Sequence, residues 1–394
     1  MDDANRKYQP DMIYFDDHAG DSQIDLGINM GLGKLTPQIL ENFYNIAAKR
    51  KDGRTGVVAT FKGVGGRYDS FQNAPELLPL VDRSLVKSTE FFTEDEIMAH
   101  PFQTEVSLQE WHFKKGVPYR PAHEIITRLM QNVSRNGSLL LNITQRAGGN
   151  IDPEARQICE DIGLWLKVNG SAVYGSRPFE TWGDDSVIYT RNGDYVYAML
   201  FSWDGSEVDL EALSSRSSTL GKVKKVELLC QPDARIRFKQ TDTGLAVSTG
   251  TVLKPYDGIV DEQLAKGFKV LRITHDKALF NDDDPGVTTL GWERRCNLGQ
   301  GDYNNDLYLS TVKGDVWRAT FRGKYVEVIA PVGPELGTMA VSIDGVERTV
   351  SLGSDGVRKP QQVVFKYKAP RKGAHSIEVR NLSGTVAIDA LKIR

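Results

Sequence analysis

Acidic residues follow two strand-like segments near the start of the sequence. The apolar run DMIYF, residues 11–15, breaks abruptly into Asp16 and Asp17, and the run SLVKSTE, residues 84–90, finishes on Glu90. A carboxylate in such a place could serve as a nucleophile or a proton donor. A lone acid after a strand is more often a turn former or a helix cap. The residue types alone leave both interpretations open.

The segments that carry these acids alternate between strand and helix signals. VVATFKG, residues 57–63, is typical of a strand, and SLLLNI, residues 138–143, predicts a parallel strand buried on both faces. Thr36 and Pro37 predict an N-cap and a first-turn proline for a helix with one apolar face. This alternation favours right-handed crossovers and a parallel sheet or barrel.

Two further helices are predicted downstream from their end signals. One runs from Pro121 and stops at Asn136 and Gly137, where a left-handed cap is wanted. Another opens at Asp152 and Pro153.

The pattern changes after about Tyr174 to short alternating strands. Asn192-Gly193 predicts a hairpin turn, and a second all-β stretch begins near Phe268 and is typical of a jelly-roll. The expected fold class is multidomain α/β plus all-β. Its predicted divisions are residues 1–173, 174–266 and 267–394.

Composition narrows the possible partners and cofactors. Lys plus Arg number 49 against 52 Asp plus Glu, so the net charge of -3 gives no general attraction to nucleic acid or to an anionic membrane. Cys159, Cys230 and Cys296 lie far apart and predict unpaired thiols rather than a zinc site. No apolar run is long enough to span a membrane, and the first residues lack the apolar core of a secretion signal.

Two acidic loops in the last third of the chain leave two interpretations open. They read NDDDPG and GDYNND. Their acids could bind calcium through oxygen ligands or could form ordinary solvated turns. The residues concerned are Asp282, Asp283, Asp284, Asp302 and Asp306.

One long segment, residues 128–180, closely resembles the signature of glycoside hydrolase family twenty-nine, the α-L-fucosidases. The resemblance rests on the strand LLLNI, the turn GGNIDPE, the helix end GLWLKVNG and the motif AVYGSRP. The segments YQPDMIYFDD and HPFQTEVSLQEW resemble two other parts of the same family. The likeness covers about residues 8–273, and the final domain resembles sugar-associated jelly-rolls.

The resemblance implies a partial (β/α)8-like barrel followed by two antiparallel β-sandwich domains. It also implies retaining hydrolysis of terminal α-L-fucosyl linkages. The family's nucleophile pattern falls on Tyr14 to Asp17, which predicts Asp16 as the nucleophile, with Asp17 as its rival and Tyr14 as a substrate contact. Glu90 is the predicted acid/base and Glu105 the second choice. The two carboxyl groups of a retaining enzyme should stand about 5–5.5 Å apart.

Trp111 and His112 are further candidates for the sugar pocket. An aromatic ring can stack on the apolar face of fucose and an imidazole can bond a hydroxyl, although core packing explains both residues equally well. The expected partner is a fucosylated glycan, and the implied chemistry needs no cofactor and no metal. The family suggests an extracellular, periplasmic or lysosomal site, and the sequence leaves the compartment and the oligomeric state open.

Completeness of the catalytic domain is a separate question. The resemblance implies that about half a barrel precedes the nucleophile strand in full-length members, whereas about ten residues precede it here. We therefore expect a truncated product or a partial chain, and the sequence does not predict activity for this chain alone. The alternative is a non-catalytic carbohydrate-binding protein with a degenerate half-barrel.

Overall fold

The computed structural model describes residues 2–15, 32–50, 56–62, 86–277 and 279–394. The chain forms two compact units. One contains residues 1–120 and 136–155, and the other contains residues 121–135 and 156–394. Among the described residues, no helix has both the length and the hydrophobicity that a membrane crossing requires.

A five-stranded parallel sheet organises the first unit. Its strands follow one another in chain order, and each pairs with the next in parallel. The strands are β1 (Met12–Phe15), β2 (Val58–Lys62), β3 (Val86–Glu90), β4 (Phe102–Ser107) and β5 (Gly137–Asn142). Because all five run the same way, their carboxyl ends share one edge of the sheet. The predicted parallel arrangement is confirmed.

Apolar residues of β1 and β2 pack against a helix. Helix α1 (Asp2–Tyr8) precedes the sheet, and α2 (Leu32–Ala48) lies between β1 and β2 in the chain. Leu40 and Phe43 of α2 are buried in a cluster with Ile13, Phe15 and Ala59. The spacing of Leu40 and Phe43 puts both on one helix face, as the periodicity predicts.

The start of α2 differs from the prediction. The helix begins at Leu32 and contains Pro37, whereas Thr36 and Pro37 were expected to cap its first turn. A proline inside a helix lacks one backbone donor. The helix nevertheless continues through Pro37 and begins five residues before it, at Leu32.

Strand β5 also departs from expectation. Its side chains alternate between half-buried and exposed positions, and Leu140 is 38% exposed. The prediction of a strand buried on both faces is therefore wrong for this structure. In the described sheet β5 pairs only with β4, so one of its edges and part of its surface lack a neighbouring strand.

Two helices follow their predicted end signals. Helix α3 (Ala122–Val133) begins directly after Pro121, and α4 (Pro153–Asn169) carries its proline at the first position. Beyond α3, Asn136 has a φ of 77°, the left-handed conformation that the helix stop predicts. The short helix α5 (Glu262–Gly267) is capped by the carboxylate of Asp261, which accepts a hydrogen bond from Leu264 N–H.

Two antiparallel sheets of the second unit share one hydrophobic core, which contains Phe179, Val196, Leu213, Leu245 and Leu271. The first has the order β10-β13-β8-β7-β6 and the second β11-β12-β9. The strands are β6 (Arg177–Gly183), β7 (Val187–Asn192), β8 (Tyr195–Leu200), β9 (Val208–Leu210), β10 (Val223–Leu228), β11 (Ile236–Gln240), β12 (Leu245–Thr249) and β13 (Lys269–His275).

The links between these strands test the predicted hairpin. β7 and β8 pair antiparallel across Gly193, whose φ is +55°, so the predicted hairpin is confirmed. Strand β13 is bonded to β8 and β10, which extends this sheet beyond residue 266. The threefold division into domains remains a prediction.

The remaining strands surround a second core, which contains Trp292, Trp317, Val328, Ile377 and Ile388. A larger sheet has the order β14-β23-β18-β21-β19-β20, with β15 on β18, and a smaller one has the order β16-β17-β22. The strands are β14 (Phe280–Asn281), β15 (Thr288–Leu290), β16 (Glu293–Cys296), β17 (Asp306–Ser310), β18 (Val316–Val332), β19 (Thr338–Ile343), β20 (Val346–Ser351), β21 (Lys359–Ser383), β22 (Val386–Ile388) and β23 (Ala390–Ile393).

The first residue of β5 must be glycine for β4 to pack. A Cβ at Gly137 would lie 2.4 Å from Cζ of Phe102, its register partner, and that ring is only 2% exposed. We predict that Gly137→Ala lowers the free energy of unfolding by about 1–3 kcal/mol, because the buried ring must move. Urea denaturation measures the change.

Gly163→Ala is the matched control. Gly163 lies inside α4, and a new Cβ there meets nothing within 4 Å. Helix propensity predicts a gain of about 0.5–1 kcal/mol at this position. Equal effects of the two substitutions would contradict the assigned packing of Phe102.

Candidate functional site

Side chains from β1, β3 and β4 meet on one face of the parallel sheet. The Tyr14 hydroxyl donates a hydrogen bond to Oε1 of Glu105, and Ser88 Oγ donates to the same oxygen at 2.5 Å. Gln103 Nε2 donates to Ser88 Oγ at 3.3 Å. Glu105 is 5% exposed and Ser88 is fully buried. We call these four residues the Glu105 cluster.

The register of β3 and β4 brings the two candidate acids side by side. Glu90 pairs with Glu105, and Ser88 pairs with Gln103. Residues paired across neighbouring parallel strands project to the same face of the sheet. Glu90 is the last residue of β3 and is exposed, whereas Glu105 lies two residues before the end of β4 and is buried. The sheet therefore presents one exposed and one enclosed carboxyl on a single face.

Aromatic side chains surround the strand end that carries Glu90. Phe91 has a φ of 53°, which is uncommon for a bulky residue, and its N–H donates to the Glu105 carbonyl at 2.9 Å. The Phe91 ring lies 5.5 Å from that of Trp111, between centroids, and the Arg120 guanidinium lies 4.9 Å from the Phe91 centroid. An unusual backbone conformation thus places an aromatic ring beside Glu90.

A hydrogen bond to its main-chain carbonyl holds Trp111 at the carboxyl edge of the sheet. Asn142, the last residue of β5, donates from Nδ2 to the Trp111 carbonyl at 3.1 Å and to Ser107 Oγ at 2.9 Å. Trp111 is 40% exposed, and His112 is also exposed. The exposure of both side chains argues against core packing, the alternative that the sequence left open.

An open cleft of about 390 Å³ lies between the segments that follow β4 and β5. Asp152 accepts a hydrogen bond from the Tyr119 hydroxyl at 2.9 Å and pairs with Arg146, whose guanidinium lies 5.3 Å from the Phe113 centroid. Burial and the bond to Asp152 raise the pKa of Tyr119. Lys114 and Lys115 add positive charge to the lining. Such a mixture of aromatic and hydrogen-bonding groups suits a hydroxyl-rich ligand.

The structure brings some of the predicted site residues together and does not describe others. Asp16 and Asp17 lie outside the described residues. Tyr14 and Glu105 are in direct contact, and Glu90 lies beside Glu105 in the sheet.

Sequence reasoning missed Ser88, Phe91 and Asn142. Period-two alternation from Glu90 back to Ser88 was the signal available for the serine.

Comparison with known proteins relates the first part of the chain to one family. Residues 1–171 match the family model described as alpha-L-fucosidase. Tissue alpha-L-fucosidase from Homo sapiens is 38% identical over 123 residues, which are 29% of this chain and 26% of the human protein. The Bos taurus protein of the same name is 29% identical over 148 residues, 36% of this chain and 31% of the bovine protein. Each match spans less than a third of the relative.

A solved structure described as alpha-L-fucosidase resembles this chain with a TM-score of 0.50. Sequence identity is 15%, and the likeness covers 69% of this chain and 54% of the other. At that identity the comparison supports the fold alone, a half-barrel parallel sheet joined to mostly antiparallel sheets. Residues 1–171 are therefore similar to the α-L-fucosidase family, through the match to the family model and the local identity to tissue fucosidases.

Proposed function

We propose that this chain is part of a retaining exo-α-L-fucosidase that removes terminal fucose from glycans. The observation that carries the proposal is the pairing of Glu90 with Glu105 at the carboxyl edge of the sheet, inside the segment that matches the family. Catalytic groups of (β/α)8 barrels sit at that edge. The proposed substrate is a fucosylated glycan, since the related proteins are named as fucosidases.

The proposed reaction proceeds in two displacements. The Asp16 carboxylate attacks the anomeric carbon of fucose, the glycosidic C–O bond breaks, and the departing oxygen takes a proton from Glu90. Glu90 then removes a proton from water, whose oxygen displaces Asp16 and releases fucose. Two inversions at the anomeric carbon leave its configuration retained.

Exposure favours Glu90 over Glu105 as the proton donor. One oxygen of Glu105 already accepts bonds from the hydroxyls of Tyr14 and Ser88. These bonds tie Glu105 to β1 and β3. Burial also separates Glu105 from a ligand at the strand ends, whereas Glu90 is exposed there. We assign Glu105 the role of a positioning residue that fixes β1, β3 and β4 relative to one another.

The exposed cleft beside this edge is the proposed site for the leaving group. Its lining of Phe113, Lys114, Tyr119 and Arg146 supplies an aromatic face and several hydrogen-bond donors. Trp111 and His112 are proposed to contact fucose itself. The Phe91 ring next to Trp111 supports that assignment by keeping an aromatic surface beside Glu90.

Two substitutions test the catalytic assignment. We predict that Asp16→Gly and Glu90→Ala each reduce fucose release from an aryl α-L-fucoside at least about 100-fold, because each removes one of the two required carboxyl groups. With Asp16→Gly, added azide should restore turnover and yield the fucosyl azide of inverted configuration. Product analysis by nuclear magnetic resonance gives the configuration.

Glu96→Ala serves as the control for loss of an exposed acid near β3. Its activity should match that of the unaltered chain. Turnover by Asp16→Gly equal to that of the unaltered chain would reject the nucleophile. Glycan binding without turnover by the unaltered chain would instead favour a non-catalytic carbohydrate-binding protein.

A second prediction concerns the positioning role of Glu105. Tyr14→Phe removes one hydroxyl donor to a buried carboxylate, and we expect the free energy of unfolding to fall by about 1–3 kcal/mol. Tyr8→Phe is the control, because Tyr8 is 70% exposed. Denaturation of both variants measures the difference. Equal stability of the two variants would argue against a structural role for the Tyr14–Glu105 bond.

A further inference from the structure

The segment that follows β4, residues 108–120, is folded around one buried glutamine. Gln109 is 4% exposed, and its Nε2 donates hydrogen bonds to the Lys114 carbonyl at 3.0 Å and to the Val117 carbonyl. Its Oε1 accepts a hydrogen bond from Lys114 N–H at 2.9 Å. All three partners are main-chain groups, so the glutamine fixes the backbone of the segment from within. Residues 111–115 are therefore presented along a set path.

Two ammonium groups of this segment lack an ionic partner among the described residues. Lys114 and Lys115 are exposed and line the open cleft of about 390 Å³. Neither ammonium group forms a salt bridge or a hydrogen bond with any residue that the structure describes. Cations in a cleft attract anions more strongly than cations on a flat surface, because the walls of the cleft concentrate the electric field.

The acidic side chains of the lining leave an excess of positive charge. Asp152 accepts a hydrogen bond from the Tyr119 hydroxyl on Oδ2, and its Oδ1 pairs with Arg146. Glu154 is the second acid of the lining and is exposed. Once the Arg146–Asp152 pair is set aside, two lysines remain against one glutamate. The cleft therefore favours an anionic ligand over a neutral or a cationic one.

Arg146 contributes donors that its own ion pair does not use. Its Nη2 pairs with Asp152, whose side chain is 11% exposed, and its guanidinium lies 5.3 Å from the Phe113 ring centroid. Within the described residues, its Nε and Nη1 make no hydrogen bond. A guanidinium carries five N–H donors in a planar fork that matches the oxygens of a carboxylate or a similar oxyanion. Asp152 and Phe113 thus hold Arg146 while part of its fork stays available.

The same segment carries the proposed fucose contacts. Trp111 and His112 come directly before Phe113 in the chain, and Lys115 is four residues beyond Trp111. A chain spans at most about 3.3–3.6 Å per residue, so the backbones of Trp111 and Lys115 are at most roughly 14 Å apart. A group bound by the lysines therefore belongs to a sugar close to fucose in the glycan.

We propose that this cleft selects glycans in which the sugar next to fucose carries an anionic group, either a carboxylate or a sulfate ester. The proposal rests on the function proposed above, since it names the leaving group of that reaction. The ring of the leaving sugar packs on Phe113, and its anionic group binds the ammonium groups of Lys114 and Lys115 and the unused donors of Arg146. Charge-assisted hydrogen bonds are about twice as strong as neutral ones, so an anionic sugar gains affinity over its neutral counterpart.

Three fucosyl disaccharides of the same linkage test the charge preference with the full-length Asp16→Gly chain, which should not consume them. Their second sugars are galactose, galacturonic acid and galactose 6-sulfate, which differ only at C6. By isothermal titration calorimetry we expect at least one anionic ligand to bind about 10-fold or more tightly than the neutral one. The tighter of the two anionic ligands identifies the group. The preference should shrink as salt rises from about 0.05 to 0.5 M, because salt screens exposed charges.

Paired substitutions locate the preference in the cleft. Lys114→Gln with Lys115→Gln removes both ammonium groups and should bring the ratio of anionic to neutral affinity below about 3-fold. Lys114→Arg with Lys115→Arg keeps the charge and should keep the preference. Lys313→Gln with Lys372→Gln is the matched control, because it removes two charges from exposed positions of the second unit. This control should also keep the preference, which separates a local contact from an effect of net charge.

Fucose release from an aryl α-L-fucoside by the unaltered chain tests the proposed function separately, because that substrate has no anionic group. Equal affinities for the three disaccharides, including no binding of any of them, would overturn the charge preference. A preference that survives the loss of both lysines would overturn it as well. The preference without release of fucose from any substrate would reject the fucosidase proposal and leave the anionic ligand of the cleft in place.

Discussion

The hydrogen bonds that Tyr14 and Ser88 donate to Glu105 are the interaction on which the candidate site depends. They join three strands through one buried carboxylate oxygen. A buried carboxylate is tolerated only when it is paired or hydrogen-bonded, so this contact fixes how the strands align. The alignment in turn sets Glu90 next to Glu105. The position of Glu90 therefore depends on the bond that Ser88, two residues earlier on the same face of β3, donates to Glu105.

Two carboxyl groups on one sheet face differ in exposure and in their proposed roles. Glu105 is enclosed and is proposed to organise the strands, whereas Glu90 is exposed and is proposed to donate the proton. Aromatic rings at Phe91 and Trp111 lie at the same edge. The match of residues 1–171 to the alpha-L-fucosidase family model supports the proposed chemistry. The chain matches less than a third of its curated relatives, so the activity of the whole protein remains a proposal.

The sequence predicted those features that depend on the backbone preference of a single residue. Pro153 opens a helix, Asn136 takes a left-handed conformation, and Gly193 lies in a hairpin, because each residue's own backbone preference decides the outcome. The exposure of Leu140 could not be predicted from the run LLLNI, since it depends on which strands lie beside β5.

The acids Asp283 and Asp306 show the same limit over longer distances, because their side chains are buried and the solvated-turn interpretation is wrong for them. Asp306 is 25 residues from Asn281, and Arg191 is 92 residues from Asp283. Sequence identified the acids, but only tertiary structure reveals their burial and their counter-charges. The positioning role proposed for Glu105 shows the same limit, because it rests on a hydrogen bond from a hydroxyl 91 residues away.

The measurement that tests the central claim most directly is covalent trapping with 2-deoxy-2-fluoro-fucosyl fluoride. Fluorine at C2 destabilises the positively charged transition state and slows hydrolysis of the fucosyl-enzyme, while fluoride departs without help from an acid. Peptide mapping should then locate one fluorofucosyl group on Asp16, in the unaltered chain and in Glu90→Ala alike. A label on Asp17 or on Glu105, or no label on a folded chain, would contradict the account.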